Sequence, residues 1–87
     1  MPVTAPTLDE MYPMYGPVKG GNEVLLLGSN FDSTTQVFIE EGEATNVQFL
    51  SSSALAVTMP AGSEGLTVMV TVADGDQGSD YLEYTYT

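Results

Sequence analysis

The sequence predicts an all-β fold, a two-sheet antiparallel β-sandwich of about seven short strands. Apolar and polar residues alternate with a period of two over several stretches, and only a strand places every second residue on one face. Turn residues separate these stretches at roughly 8–12-residue intervals, which is typical of a sandwich. No stretch carries apolar residues at helical spacing over a useful length, so helices are not expected.

The first third of the chain predicts two strands joined by a tight connection. Leu8 and Met11 are expected to face the core from the first strand. Gly20 and Gly21 supply the positive φ with which the chain turns into the second strand. That second strand contains the continuous apolar run 24–27, which is typical of a strand covered on both faces.

The middle of the chain predicts three shorter strands. Gly28 is expected to allow a bulge or a close backbone approach, after which Phe31 plugs one end of the core. The alternating apolar residues of the three strands are Val37 and Ile39, then Val47 and Phe49, then Leu55, Val57 and Met59. Pro60 ends the third of them because it has no amide donor.

The last third of the chain predicts a β-hairpin. Its inward positions are Leu66, Val68, Val70 and Val72 in one strand and Leu82, Tyr84 and Tyr86 in the other. Asp74 and Gly75 stand between the two runs, and Asp-Gly flanked by alternating apolar residues is a strong hairpin signal.

The length of 87 residues allows one small domain, assigned to residues 6–87, preceded by a flexible N-terminal arm at residues 1–5. The first residues lack the positive and apolar regions of a signal peptide, and no apolar run approaches about 20 residues. Two origins stay open: a piece of a larger secreted chain, or a small product made in the cytosol.

Charge and composition exclude several classes of function. Twelve acidic residues stand against one lysine, for a formal charge of −11. A single cation, Lys19, does not neutralise several phosphates, so neither nucleic acid nor an anionic membrane surface is an expected partner. The absence of Cys and His removes thiol chemistry, the Ser-His-Asp arrangement and zinc sites built on those residues.

The order and spacing of small motifs resemble those of the IPT/TIG domains over nearly the whole chain. The matching residues are Pro6-x-Leu8, Met11-x-Pro13, Gly16-Pro17, Gly20-Gly21, Val24-x-Leu26-x-Gly28, Asn30-Phe31, Val37-x-Ile39, Leu55-x-Val57-x-x-Pro60, Val68-x-Val70-x-Val72, Asp74-Gly75 and Tyr84-x-Tyr86. The resemblance implies an immunoglobulin-like sandwich of the E-set type. Each of these residues is a folding device and none is a reactive group.

The resemblance also implies a broad range of settings, from cell-surface receptors and Rel-type transcription factors to bacterial surface and starch-acting enzymes and virion proteins of tailed phages. We expect a non-catalytic structural or interaction module displayed on a larger assembly, with the surface of a phage virion (capsid decoration or tail) as its setting. The alternative is an accessory or spacer domain of a secreted bacterial surface protein or carbohydrate-active enzyme. Enzyme activity is not expected, because so small a sandwich lacks a deep pocket.

Asp74, Asp76 and Asp80 form a candidate calcium site. Calcium takes six to eight oxygen ligands, and closely spaced carboxylates on a turn can supply three of them. The alternative is a solvated hairpin whose aspartates favour the turn. No other metal or cofactor is expected.

Tyr12, Met14 and Tyr15 are the candidate contact residues for a partner protein, such as a shell, a tail or a neighbouring domain. Rigid aromatic rings and adaptable methionines are frequent at interfaces. The alternative is that the segment lies over the edge of the sandwich as a first strand. Tyr12, Tyr15 and Tyr81 are also the only candidate platforms for a glycan, and glycan binding is not favoured, because the chain has no Trp.

A second acidic patch consists of Glu40, Glu41 and Glu43 near a predicted turn. One hypothesis is a surface for a basic partner. The other is protection of a strand edge, because charged side chains prevent edge-to-edge aggregation.

Overall fold

The computed structural model describes residues 5–40, 42–44, 46–74 and 79–87, and these residues form an all-β sandwich. The strands are β1 (Thr7–Tyr12), β2 (Tyr15–Gly16), β3 (Glu23–Ser29), β4 (Gln36–Ile39), β5 (Gly42–Glu43), β6 (Val47–Ser51), β7 (Ala54–Thr58), β8 (Thr67–Ala73) and β9 (Ser79–Tyr86). Within the described ranges, no helix is long and apolar enough to cross a membrane. The predicted fold class is confirmed.

The strands form two sheets, a four-stranded sheet with the order β1-β3-β7-β6 and a five-stranded sheet with the order β2-β9-β8-β4-β5. Among the residues that the structure describes, seven strands have four or more residues, and β2 and β5 have two each. One pair departs from the expected antiparallel pattern, because β2 runs parallel to β9 with Tyr15 opposite Thr85. The chain passes from β1 into β2 without reversing its direction, and β9 runs in the same direction as β2.

The core lies between the two inner faces. In the described part of the chain, fifteen buried hydrophobic side chains form it: Leu8, Met11, Val24, Leu26, Phe31, Val37, Ile39, Leu55, Val57, Met59, Val68, Val70, Val72, Tyr84 and Tyr86. Nearly all are the residues that the period of two predicts. The run 24–27 is covered unequally, because Val24 and Leu26 are fully buried whereas Leu25 and Leu27 are half-buried on the outer face.

Two residues predicted to lie in the core, Leu66 and Phe49, are exposed instead. Leu66 is 44% exposed, because the chain turns there and β8 begins only at Thr67. The Leu66 amide donates to the Ser63 carbonyl, and Gly65 has a φ of 82°. Phe49 is 45% exposed, since β6 is an edge strand whose register shifts between Phe49 and Ser51.

A β-bulge explains how β1 buries both Leu8 and Met11. Residues three apart in a regular strand face opposite sides. The register of β1 against β3 shifts between Leu8 and Glu10, so the bulge inserts one extra residue at Asp9 and returns Met11 to the inner face. The expectation that both side chains face the core is confirmed.

Gly28 lies where the backbones of β1 and β3 are in close contact. A Cβ atom at this position would be 1.9 Å from the Thr7 carbonyl oxygen and 3.0 Å from the Phe31 ring. Phe31 is buried directly behind it, as predicted. The predicted arm at residues 1–5 lies outside the described residues except for Ala5, whose carbonyl accepts a hydrogen bond from Nδ2 of the Asn30 side chain at 3.2 Å.

Candidate interaction surface

The chain changes sheets between β1 and β2, and this switch presents large side chains to solvent. Tyr12 ends β1 in the four-stranded sheet, and Tyr15 begins β2 in the five-stranded sheet. Tyr12, Met14 and Tyr15 are 57%, 46% and 61% exposed. The Thr85 amide donates to the Met14 carbonyl at 3.1 Å, so the backbone of the switch is held against β9.

A hollow of about 430 Å³ opens at this switch. Its lining residues are Asp9, Glu10, Met11, Tyr12, Pro13, Met14, Tyr15 and Leu82. Met11 is buried and Leu82 is half-buried against the core, and both lie beside the exposed Tyr12 and Met14. The three predicted contact residues are therefore brought together around one mainly apolar depression.

Two acidic residues, Asp9 and Glu10, line the same hollow. The Tyr12 hydroxyl donates a hydrogen bond of 2.5 Å to Oε2 of Glu10. This bond and the negative charge of Glu10 raise the pKa of Tyr12 above its ordinary value. Asp9 lies at the bulge of β1, next to Glu10. The hollow thus combines an apolar surface with negative charge.

Asp9, Glu10 and Leu82 were not singled out by the sequence. The alternation of β9 assigns Leu82 to the core, and only the gap beside the β1–β2 switch leaves it half-covered. Asp9 and Glu10 are two of twelve acidic residues, and their local sequence carries no signal of a hollow. The bulge that sets their position depends on pairing with β3.

Asp80 joins the two sheets through its carboxylate. Its Oδ2 accepts from the Leu8 amide of β1 at 2.9 Å, and its Oδ1 accepts from the Tyr81 amide at 2.9 Å. Asp74 bonds instead to the Thr34 hydroxyl at 3.2 Å, and Asp76 lies outside the described residues. In the described part of the chain no group of three or more His, Cys, Asp or Glu side chains is placed to hold a metal ion. Calcium binding at the three aspartates stays a prediction.

The other acidic patch makes contacts within the five-stranded sheet. Glu40 has a φ of 56°, its amide donates to the Met69 carbonyl, and its Oε1 accepts from the Met69 amide at 3.2 Å. Glu43 accepts from the Gln36 side chain at 3.3 Å, and Glu41 lies outside the described residues. These bonds give two of the three glutamates a structural role at the end of β4.

Asp32 and Asp74 form a carboxyl pair in which the two pKa values move in opposite directions. Hydrogen bonds from the Thr34 side chain and amide lower the pKa of Asp32. The hydrogen bond with Asp32, followed by burial and the Asp32 charge, raises the pKa of Asp74. Asp74 therefore holds its proton more strongly in the folded state than in the unfolded state.

Replacing Asp74 with Asn is expected to raise the melting temperature at pH 7. The raised folded-state pKa means that ionised Asp74 destabilises the fold, and this penalty disappears as pH falls through that pKa. An amide that donates to Asp32 removes the penalty at neutral pH. Thermal unfolding followed by circular dichroism at pH 7 and pH 3 measures the difference, which should shrink at pH 3.

The matched control is Asp32→Asn, which should have the opposite sign. The lowered pKa of Asp32 means that its ionised form stabilises the fold above the unfolded-state pKa, and that this stabilisation is lost as pH falls through the folded-state value. Asp32→Asn should therefore lower the melting temperature at pH 7. Equal shifts of the two variants, independent of pH, would contradict the assignment.

Comparison with known proteins matches the chain to a family of domains. The model of the IPT/TIG domain family matches residues 6–86. The curated Saccharomyces cerevisiae proteins SPT23 and MGA2 are 31% and 30% identical over 74 and 69 residues. The matches include 85% and 79% of this chain but only 7% and 6% of those proteins, so the chain spans less than a tenth of their length.

Solved structures share the same architecture. The TIG domain of human nuclear factor of activated T-cells, cytoplasmic 4, superposes with a TM-score of 0.73 at 26% identity, over 93% of this chain and 84% of that domain. The extracellular region of plexin A4 gives a TM-score of 0.75 at 17% identity, over 94% of this chain and 10% of that one. SGBP-B, from a xyloglucan utilization locus of Bacteroides uniformis, gives 0.72 at 21% identity, over 97% and 23%. The last two show a common fold alone.

Proposed function

The chain belongs to the IPT/TIG domain family, and on that premise we propose that it is a non-catalytic interaction module that binds a partner protein through the hollow at the β1–β2 switch. Domains of this family are generally non-catalytic modules of larger proteins. The proposal adds to that general role a defined contact surface, centred on Tyr12, Met14 and Tyr15.

One observation carries the proposal: three large exposed side chains within four consecutive residues surround a depression of about 430 Å³. Burying exposed apolar surface is the main favourable term in protein association. Aromatic side chains set in a pocket and surrounded by neutral contacts are the usual carriers of binding energy. Thr85 holds the switch in place through Met14, so the contact residues start from a fixed backbone.

A photo-crosslinking experiment tests the proposal in the organism that carries the gene. A photoreactive amino acid replaces Tyr15 in one variant and Gln48, on the distant edge strand β6, in the other. We expect one defined protein adduct from position 15 and none from position 48. Equal crosslinking from both positions, or none from position 15, would overturn the proposal.

Replacing Tyr15 with Ala is expected to weaken binding to that crosslinked protein at least about tenfold, or roughly 1.4 kcal/mol or more. The melting temperature should fall by less than about 4 °C, because an exposed side chain away from the core changes stability by about 0.5 kcal/mol or less. Titration calorimetry and thermal unfolding of the same preparation measure both effects. A large loss of stability together with the loss of binding would show that Tyr15 acts as part of the core.

For the setting, we propose the outer surface of a larger assembly, in particular a phage virion. The support is physical: a charge of −11 keeps a displayed module soluble and makes it repel nucleic acid. Mass spectrometry of purified particles tests this, since a virion protein occurs there in a fixed copy number. Finding the sequence fused to a catalytic or anchored domain of a secreted protein would support the alternative of an accessory or spacer domain.

The outer face of the five-stranded sheet favours that alternative in one respect. Tyr15 lies beside Thr85 of β9, and Tyr81 is exposed on the same face of the strand four residues away, at about 13 Å along it. Two exposed rings at that spacing suit an oligosaccharide better than a single sugar. Titration with soluble starch and xyloglucan, followed by amide shifts at Tyr15 and Tyr81, separates the two settings.

A further inference from the structure

The hollow combines an apolar surface with an acidic one, and a ligand that fills it contacts both. Its inner wall is apolar, with Met11 buried and Leu82 half-buried. Two exposed acidic residues, Asp9 and Glu10, line it as well. A purely apolar occupant would take these carboxylates out of water without a partner, which is unfavourable. The matching occupant is a long side chain with an apolar stem and a cationic end.

The carboxylate of Glu10 is held in place by the Tyr12 hydroxyl, which donates to Oε2. A carboxylate has about four lone-pair sites, so one such bond leaves room for a further donor. Tyr12 lines the same space, and its side chain lies beside Glu10, to which its hydroxyl donates. A cation placed over the face of an aromatic ring is attracted to it, and a guanidinium group also stacks on the ring.

The charge of the whole chain favours the same occupant. Its only basic side chain, Lys19, stands against twelve acidic residues, so acidic side chains outnumber basic ones by eleven. A surface that carries charge of one sign attracts partners of the opposite charge and speeds their association. An anionic or neutral partner gains nothing from this field.

We infer that the hollow binds an arginine side chain of the partner protein, with its stem against Met11 and Leu82 and its guanidinium between Glu10 and the Tyr12 ring. This assignment rests on the proposed function and names the chemistry of its partner. Arginine fits better than lysine, because its planar fork matches a carboxylate and stacks on aromatic rings.

Titration of the ¹⁵N-labelled chain with three small probes of similar length tests the inference: butylguanidinium, 1-pentanol and pentanoate. We expect butylguanidinium, at up to about 50 mM, to shift the amide signals of Glu10, Met11, Tyr12 and Leu82, because so small a ligand binds weakly. Pentanol should shift them less and pentanoate should leave them unmoved. Raising the salt concentration from about 20 to about 300 mM should weaken the guanidinium response by screening.

Glu10→Gln provides the decisive variant, with Glu64→Gln in the turn before β8 as its control. Both glutamates are exposed, so both variants should keep the folded spectrum of the parent chain. Butylguanidinium should bind Glu10→Gln about fivefold more weakly than the parent and Glu64→Gln equally well.

Two results would overturn the assignment of arginine: no shift with any probe, or equal responses to butylguanidinium and pentanol that Glu10→Gln does not change. The second result would assign the hollow to an apolar side chain and leave the proposed interaction surface intact. The crosslinking at position 15 tests that surface separately, so the two failures are distinguishable.

Discussion

Replacing Gly20 with alanine is expected to lower the free energy of unfolding by about 3–5 kcal/mol, whereas the same change at the neighbouring Gly21 should lower it by only about 1 kcal/mol. Both glycines have a positive φ, 71° and 82°, so both variants carry the strain of a left-handed alanine. The difference lies in their surroundings. Gly21 has no atom within 4 Å of an added Cβ.

At Gly20 the added methyl group would meet backbone. Its Cβ would lie 2.5 Å from the Pro60 carbonyl carbon and 2.6 Å from the Ala61 amide nitrogen. Backbone atoms in that position do not rotate away as a flexible side chain does, so two chain segments must separate. Those segments are tied by hydrogen bonds from Gly21 to Met59 and from Gly62 to Val18, both 2.8 Å, and the bonds would be strained as well.

Urea denaturation of the two variants beside the parent chain measures the difference. Gly21→Ala is the matched control, because it has the same substitution, the adjacent position and a similar φ. Equal losses of stability would mean that backbone strain alone, and not contact with the segment after β7, makes an alanine unfavourable at position 20. A far larger loss at Gly21 would contradict the described turn.

The turn shows how far local sequence predicts this fold. The positive φ of Gly20 and Gly21 follows from the pair itself, since glycine is the residue that adopts it without strain. Which of the two touches Pro60 depends on a segment about 40 residues later and on how the sheets pack. In the same way the period of two predicts which face of a strand is apolar, but the pairing register decides whether Phe49 at an edge is covered.

In the candidate site, too, some features follow from the local sequence and others depend on strand pairing. Exposure of Tyr12, Met14 and Tyr15 is expected from their crowding around Pro13, because one strand does not bury all of them. Glu10 lines the hollow because β1 bulges against β3, and the local alternation of apolar and polar residues does not predict that register. The Asp80 carboxylate also accepts a hydrogen bond from the Leu8 amide of β1, a contact between the sheets that the local sequence does not indicate.

Tyr86 connects the last strand to the loop that follows β7. Its ring is buried and packs edge-to-face against Tyr84, with ring centres 5.2 Å apart and planes at 80°. Its hydroxyl donates to the Pro60 carbonyl at 2.7 Å. Gly62 lies directly against the ring, since a Cβ there would be 2.4 Å from it. The side chain therefore supplies both packing and a partly buried hydrogen bond.

Replacing Tyr86 with Ala should lower the free energy of unfolding by about 3–5 kcal/mol, the usual range for removing a buried aromatic ring. A domain of this size has about 5–10 kcal/mol in total, so the variant should be close to unfolding. Tyr86→Phe keeps the ring and loses the bond to Pro60, for a loss of about 1–3 kcal/mol. Urea denaturation separates the two contributions, and equal losses would show that the hydroxyl carries the whole effect.

The phenylalanine variant also tests the titration of Tyr86. Burial, and then the charge of Tyr84, raises the pKa of Tyr86 above its ordinary value of 10.0. The unfolded chain therefore ionises first, and stability falls as pH rises above about 10. Unfolding free energies measured between pH 8 and pH 11 should fall less steeply in Tyr86→Phe than in the parent chain. Tyr81→Phe, at an exposed position, is the control, and a slope in Tyr86→Phe as steep as in that control would assign the alkaline loss to another group.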